Sequence, residues 1–163
     1  MSVYHLRRTE KAITEESEIL EIIRKQSYMT LGLCREGQPY LMTVNYGFDE
    51  AEGCFYFHCA GEGKKIDYMK ANPKVWGQIL EDRGYLDGQC DHAYRSIHFA
   101  GRVTFVEEMK AKRHALSLMI EHLESNPEAM KARLLTSEKL TGVTIGRVTV
   151  ESLSGKENDV KGR

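Results

Sequence analysis

Three strand-like segments follow one another closely in the first part of the chain. Residues 28–34, 40–48 and 54–59 are rich in β-branched and aromatic side chains, and runs with turn chemistry at 36–39 and 49–53 separate them. Antiparallel strands can be joined by such short turns, whereas parallel strands need a crossover of a dozen or more residues. The spacing therefore predicts a three-stranded antiparallel meander and excludes a Rossmann unit.

Three further strands are predicted downstream of this meander. They cover residues 74–81, 94–107 and 141–155, and a polar loop with two glycines fills 82–93. Gly146 interrupts the alternation of the last strand, and we expect a β-bulge there. The chain after this strand is predicted to fray.

Apolar residues at helical spacing mark most of the remaining chain. A helix is predicted over 14–26 with Thr14 as its N-cap, and a longer one begins near residue 107 and ends before Pro127. A short helix is expected to follow over 127–135. The helices are expected at the periphery of the strands.

Six strands joined by tight turns would leave exposed edges in an open sheet of this size. Closure into a barrel removes most of these edges, so we predict a mainly β fold with peripheral helices, built on a six-stranded antiparallel barrel. The 163 residues suffice for one domain over 1–163, with its core at about 14–155. Hydrophobic residues make up 41% and charged residues 29%, a composition that excludes disorder.

Net charge and cysteine content indicate which partners the protein binds and in which cellular compartment it lies. Lys and Arg total 23 against 24 Asp and Glu, so no bulk positive field attracts nucleic acid. No apolar run approaches the roughly 20 residues of a membrane helix, and the N-terminus has no apolar signal core. The four cysteines form no CxxC pair and are expected to be reduced. We therefore predict a cytoplasmic protein that binds neither nucleic acid nor membrane.

The segment 56–73 favours ligand binding more than any other part of the chain. A strand there runs into a loop with Gly61 and Gly63, and Lys64 and Lys65 stand at the start of a short helix. Backbone N–H groups, the helix dipole and two ammonium groups together favour a phosphate. The same residues also fit a plain turn followed by solvated lysines, so both interpretations remain open on spacing alone.

Three longer segments resemble a known family. They are YLMTVNYGFDE at 40–50, CFYFHCAGEGKKIDYMKANPKV at 54–75 and YRSIHFAGRVTFVEE at 94–108. Together they resemble the pyridoxamine 5'-phosphate oxidase-related proteins, in particular the nitroimidazole-resistance branch. The resemblance covers roughly residues 6–155, and its most specific part is the FH-x-A-x-x-G-x-K run followed by Asn-Pro.

The resemblance implies a split-barrel homodimer with FMN at the subunit interface, in which the flavin carries the chemistry. Electrons would pass from NADH, NADPH or another donor to a small acceptor such as a nitroimidazole or a quinone. Two alternatives stay open. One is a haem-binding split barrel with His58 or His98 as axial ligand, and the other is a flavin-binding module without turnover.

The resemblance also assigns residues to the phosphate end of the cofactor. Gly63, Lys64 and Lys65 match the run that holds the FMN phosphate in the oxidases. Ser96 matches a position that reaches the phosphate or ribityl oxygens, and Arg95 beside it is a further source of charge. The assignments of Ser96 and Arg95 are implied by the resemblance, and those of Gly63, Lys64 and Lys65 by the resemblance together with the spacing described above.

A second set of residues is assigned to the flavin ring. Val44 and Asn45 match a strand whose backbone runs along the ring. His58 matches a histidine near the flavin and is the candidate proton donor, with Cys59 beside it as a cofactor-binding residue. An ordinary buried strand at Val44 and a hydrogen-bonded core histidine at His58 are the structural alternatives.

The chain also departs from a true vitamin B6 oxidase. Leu41 and Tyr46 stand where the oxidase has an arginine and a lysine, and Gly63 lacks the hydroxyl of the serine that it replaces. We therefore do not expect oxidation of pyridoxamine phosphate.

Two further features allow an interpretation from residue type alone. Cys90, His92 and His98 are metal-ligating residue types, but their spacing matches no known ligand pattern, so no metal site is predicted. Trp76 is expected in the core, with a dimer interface as the alternative.

Overall fold

The computed structural model describes residues 7–158 and shows a mainly β fold with helices at its periphery. One antiparallel sheet contains eight strands: β1 (Ala12–Ile13), β2 (Tyr28–Arg35), β3 (Gln38–Asn45), β4 (Gly47–Asp49), β5 (Cys54–Cys59), β6 (Lys74–Leu86), β7 (Asp91–Val106) and β8 (Thr144–Asn158). The helices are α1 (Glu16–Lys25), α2 (Lys64–Ala71), α3 (Met109–Leu123), α4 (Pro127–Leu134) and α5 (Ser137–Gly142). No helix within 7–158 has both the length and the apolar character needed to cross a lipid bilayer.

A single residue joins the two ends of the sheet. The strand order is β3-β2-β6-β7-β8-β5-β4, yet β3 ends at Asn45 and β4 begins at Gly47. Because consecutive Cα atoms are about 3.8 Å apart, the sheet must curl until its first and last strands meet at Tyr46. The predicted split-barrel class is confirmed, but the sheet has eight strands instead of six.

Tyr46 divides the predicted strand 40–48 in two. Its ring is fully buried and meets Phe55 edge-on, with centroids 5.4 Å apart, while its hydroxyl donates a 2.7 Å hydrogen bond to a backbone carbonyl of α1. Gly47 lies directly beneath α3, where a Cβ would be 2.7 Å from the backbone nitrogen of Met119. The predicted three-stranded meander is therefore wrong, since β5 pairs with β4 and β8 and not with β3.

The predicted loop at 82–93 is instead the outer end of a long hairpin. β6 continues to Leu86 and β7 begins at Asp91, with a shift of register after Asp82. Gly84 has a φ of +96°, and its N–H donates a 2.8 Å hydrogen bond to Asp82 Oδ1. Polar residues suit this ribbon because most of its side chains are exposed to solvent.

The last strand is longer and more regular than predicted. Gly146 is not at a bulge; it pairs with Phe57, whose ring occupies the space of a Cβ. The shift of register lies near Glu151, opposite β7. The strand does not fray after residue 155, because Asn158 is buried and donates a 2.9 Å hydrogen bond to Asp91. The rest of the tail lies outside the described residues.

Helix positions follow the sequence closely, while their ends differ. α1 begins at Glu16 after Glu15 as N-cap, and no side chain caps it, so the predicted cap at Thr14 is wrong. α3 begins two residues later than expected, and α4 confirms the short helix that was predicted after it. The sequence analysis did not predict α5.

Aromatic rings fill the interior of the barrel. Phe55 and Phe99 stack with centroids 4.7 Å apart, and both are buried. The Phe99 ring lies within 2.5 Å of the position that a Cβ on Gly77 would occupy. Each fully buried phenylalanine contributes about 1.5–3 kcal/mol to the free energy of folding.

A buried ion-pair network connects α1 to the sheet. Arg95 and Glu81 face each other across β7 and β6, and the Arg95 Nε donates a hydrogen bond to Glu81. The other guanidinium nitrogens of Arg95 contact Glu21 of α1 at 3.0 and 3.2 Å, and Lys25 Nζ lies 2.6 Å from Glu81. The hydrogen bond from Arg95 lowers the pKa of Glu81 to about 2, although burial acts in the opposite direction.

We predict that Glu81→Gln lowers the free energy of unfolding by about 3 kcal/mol at pH 7, because buried Arg95 then keeps only the partly exposed Glu21 as a carboxylate partner. The lowered pKa of Glu81 stabilises the fold above pH 4.5, and this contribution is lost as the pH falls toward about 2. Urea titrations at pH 7, 5 and 3.5 should therefore show a difference from wild type that shrinks toward acid. Exposed Glu36 provides the control variant Glu36→Gln, and a pH-independent difference for Glu81→Gln would contradict the assignment.

Candidate functional site

The candidate site is the turn between the end of β5 and the start of α2, called the corner at α2 below. β5 ends at Cys59, and Gly63 precedes the helix with a φ of +105°, a conformation that L side chains rarely adopt. No side chain caps the helix, and nothing lies within 4 Å of the position of a Gly63 Cβ. Gly63 and Lys64 are exposed, so the start of α2 is open to solvent, as anion binding requires.

The ammonium group of Lys64 lies over a tyrosine ring of β3. Its Nζ lies 4.6 Å from the ring centroid of Tyr40 and 5.5 Å from that of Tyr68, and the two rings are 5.3 Å apart. The sequence analysis missed both tyrosines, although Tyr68 follows Lys64 by four residues and so shares its face of the helix. The rings hold the ammonium group near the N-terminus of α2.

Lys65 and Cys59 lie close enough to influence each other. Burial raises the pKa of the Cys59 thiol, and the charge of Lys65 only partly opposes this rise. The raised pKa keeps the Cys59 thiol protonated at pH 7. Neither Lys64 nor Lys65 has a carboxylate within ion-pair distance among residues 7–158, so both ammonium groups are available to an anion.

Val44 and Asn45 lie at the end of β3, which is the first strand of the sheet order. Val44 is half-buried against the core, as the structural alternative for this residue expected. The Asn45 side chain is exposed and donates a 2.8 Å hydrogen bond to the carbonyl of Ser27. An edge strand directs every other N–H and C=O away from the sheet, so the backbone here can pair with a ligand.

His58 is exposed near the end of β5, one residue before Cys59. The alternative of a hydrogen-bonded core histidine is therefore wrong. Since β5 leads directly into the loop before α2, the imidazole lies on the strand that also positions Lys64 and Lys65. The structure thus brings His58, Cys59 and the two lysines to the same end of one strand.

Within one chain, Ser96 lies far from the corner at α2. It lies on β7 opposite Lys156 of β8, whereas Cys59 is opposite Thr144 of the same strand. Twelve residues of extended chain separate Thr144 from Lys156, which is roughly 40 Å along the strand. Arg95 is also unavailable, because it is buried and paired with two glutamates.

The histidines considered above as metal ligands, and Trp76, make other contacts in the structure. Residues 7–158 contain no group of three or more His, Cys, Asp or Glu side chains placed to hold a metal ion. His92 lies 2.7 Å from Asp82, and His98 accepts a hydrogen bond from Trp76 Nε1. Trp76 is half exposed on the outer face of the sheet, so the prediction that it lies in the core is wrong.

A model of one protein family matches most of the chain. Its description is pyridoxamine 5'-phosphate oxidase, and it matches residues 15–157. The chain belongs to this family. An uncharacterized protein of Rhizobium meliloti (strain 1021) is 30% identical over 69 residues, which are 42% of this chain and 44% of that protein. The chain thus matches less than half the length of this relative.

Solved structures of similar fold include a proposed 5-nitroimidazole antibiotic resistance protein of Bacteroides thetaiotaomicron. It has a TM-score of 0.72 and 25% identity, over 90% of this chain and 86% of that one. A FAD-binding protein of Mesorhizobium loti has a TM-score of 0.64 and 23% identity, over 91% and 98%. A FAD and haem binding protein of Mycobacterium smegmatis has a TM-score of 0.77 and 15% identity, over 91% and 74%. The last two likenesses concern the fold alone.

Proposed function

We propose that this chain binds FMN and transfers electrons from a reduced nicotinamide, or another donor, to a small acceptor such as a nitroimidazole or a quinone. The observation that carries the proposal is the corner at α2, where Lys64 and Lys65 lack carboxylate partners among residues 7–158 beside the uncapped helix N-terminus. A terminal phosphate monoester fits this combination of charge and amides. The names of the structural neighbours, which include flavin-binding proteins, support the same class of cofactor.

Each residue of the corner has a distinct part in this proposal. Lys64 and Lys65 hold the phosphate, and Gly63 lets it approach the backbone without a Cβ in the way. The free edge of β3 at Val44 and Asn45 offers backbone groups to the polar edge of the ring. The bound flavin supplies the hydride and electron chemistry, while the protein positions it and excludes water.

His58 is the proposed proton donor. Reduction of a nitro group or a quinone consumes protons, and an imidazole near pH 7 can supply them. The exposed position of His58 leaves room for a substrate beside it. Pyridoxamine phosphate is not the proposed substrate, because the two positions that carry charge in the oxidases are uncharged here. Leu41 is an exposed apolar side chain, and Tyr46 is buried.

A homodimer is part of the proposal. Tyr28, Leu41, Trp76 and Leu80 are large apolar side chains that are at least 41% exposed. A second copy docked on these residues would remove them from water and supply a further wall to the flavin site. Ser96 would contribute to flavin binding only through such a copy.

Haem is the second candidate cofactor. The Mycobacterium smegmatis neighbour is described as a FAD and haem binding protein, which favours this alternative. His98 is a poor axial ligand here, because Trp76 donates to its Nδ1 and its Nε2 lies 3.4 Å from the Gln78 amide. His58 is the remaining candidate ligand. A flavin-binding module without turnover is the other alternative.

The absorption spectrum of the freshly purified protein tests the cofactor. We expect flavin bands, FMN as the flavin released on denaturation, and a dimer by analytical ultracentrifugation. A Soret band without flavin bands would establish the haem alternative. A colourless protein that also fails to bind added FMN would exclude both cofactors.

The double variant Lys64→Ala/Lys65→Ala should weaken FMN binding by about 2–4 kcal/mol, because two charge-assisted contacts to the phosphate are lost. Fluorescence titration of the flavin measures this loss. Lys70→Ala is the matched control, since Lys70 is exposed in the last turn of the same helix. Equal FMN affinity in the double variant and the control would refute the phosphate assignment.

Anaerobic reduction by NADH or NADPH, followed by rapid mixing with a nitroimidazole or a quinone, tests turnover. We expect His58→Gln to slow reoxidation of the flavin by about 100-fold while flavin content stays unchanged, because only the proton donor is removed. An unchanged reoxidation rate would remove His58 from the mechanism. A flavin that no acceptor reoxidises would favour the module without turnover.

A further inference from the structure

The corner at α2 contains a tyrosine whose hydroxyl makes no hydrogen bond within the described chain. Tyr68 of α2 is 9% exposed, and its ring belongs to the core of the barrel. Neither a side chain nor a backbone group of residues 7–158 accepts a hydrogen bond from this hydroxyl. Buried hydroxyl groups are normally hydrogen-bonded, so water or a ligand must supply the partner here.

The hydroxyl of Tyr68 reaches the surface of the protein. Among the side chains of residues 7–158 that are not exposed, only Arg147 Nε is a fully buried polar atom without a partner. The unpaired Tyr68 oxygen is therefore accessible from solvent, although the rest of the residue is covered. A ligand on this surface can accept the phenolic proton.

Helix geometry directs Tyr68 toward the start of α2. Side chains of an α-helix point back toward its N-terminus, and a long side chain covers the turn that precedes its own Cα. Tyr68 follows Lys64 by four residues, so its ring lies along the first turn of the helix. The position of Lys64 agrees, since its Nζ is 5.5 Å from the centroid of the Tyr68 ring. The hydroxyl thus lies on the same side of the helix as the Lys64 ammonium group.

Tyr40 supports the same arrangement from β3. Its ring centroid is 4.6 Å from Lys64 Nζ and 5.3 Å from the centroid of Tyr68. Aromatic ring faces attract an ammonium group, so the two rings together restrict where Lys64 can lie. Tyr40 is only half-buried, and water can hydrate its hydroxyl. Tyr68 differs because it combines contact with Lys64 and a largely covered hydroxyl on the helix itself.

We propose that Tyr68 is a further phosphate-binding residue of the corner at α2. Its hydroxyl donates a hydrogen bond to the phosphate that Lys64 and Lys65 attract, and its ring positions Lys64 together with the ring of Tyr40. This inference rests on the proposed function, because it concerns the same phosphate monoester. The phenol adds a directed hydrogen bond to the charge of two flexible ammonium groups.

Affinities for FMN and for riboflavin, which has the same ring system without the phosphate, test the proposal in the full-length protein. The variant Tyr68→Phe removes the hydroxyl and keeps the ring that contacts Lys64. By fluorescence titration we expect FMN to bind about ten-fold more weakly, because a hydrogen bond to a charged group is lost, and riboflavin to bind as in wild type. Unchanged FMN affinity, or an equal loss for both flavins, would overturn the proposal.

Tyr40→Phe is the matched control for the loss of a hydroxyl beside Lys64. It should leave FMN affinity unchanged, because Tyr40 acts through its ring, and a loss as large as that in Tyr68→Phe would contradict the assignment to Tyr68. Tyr40→Leu removes the ring and should weaken FMN binding only while Lys64 is present. Lys64→Ala and Lys64→Ala/Tyr40→Leu should therefore bind FMN equally, and a further loss in the second would exclude the positioning role of Tyr40.

Inorganic phosphate, titrated by calorimetry, separates this inference from the proposed function. If FMN binds and Tyr68→Phe leaves its affinity unchanged, the proposed function stands and the inference fails. If the protein binds no flavin but binds phosphate about ten-fold more tightly than Tyr68→Phe does, the proposed function fails and the inference stands. A protein that binds neither FMN nor phosphate contradicts both.

Discussion

The burial of Tyr46 between the first and last strands is the contact on which the rest of the architecture depends. Tyr46 is the only residue between β3 and β4 along the chain, so the two strands must lie close together. The sheet therefore curls into a barrel around the buried Tyr46 ring. This closure places the start of α2 beside β3, where Lys64 rests on the ring of Tyr40. The candidate phosphate corner exists because the ends of the sheet meet.

The cations of this protein differ in whether a nearby carboxylate neutralises them. Arg95 is buried between Glu81 and Glu21, where it stabilises the packing of α1 against the sheet. Lys64, Lys65 and Lys156 have no carboxylate partner among the described residues. A net charge of −1 for the whole chain conceals this local asymmetry. Arg95 therefore serves the packing of the fold, whereas Lys64 and Lys65 remain open to an anion at the start of α2.

The sequence predicted those features that short-range signals determine. The strand 54–59, the glycine before α2 and the short helix α4 all follow from local residue preferences. The break at Tyr46 and the long ribbon at 82–93 do not, because packing against α3 causes the first and pairing between distant strands causes the second. Local signals reveal propensity, whereas tertiary contacts decide where strands divide or continue.

The same limit applies to the candidate site. The Gly63, Lys64 and Lys65 run was visible as a pattern, and the family resemblance assigned it a partner. The internal role of Arg95 and the position of Ser96 on another face depend on strand register, which residue type does not encode. Family resemblance proposed the residues of the candidate site, but the strand register separates Ser96 from Lys64 and Lys65 within one chain.

Two glycines make room for aromatic rings in the lumen of the barrel. The Phe99 ring covers Gly77 and the Phe57 ring covers Gly146, so the lumen of the barrel is packed solid with aromatic carbon. In the part of the chain that the structure describes, these rings occupy space that a lipocalin-type barrel keeps for a ligand. The start of α2 lies outside this packed centre, so substitutions there can change ligand recognition without disturbing the packing.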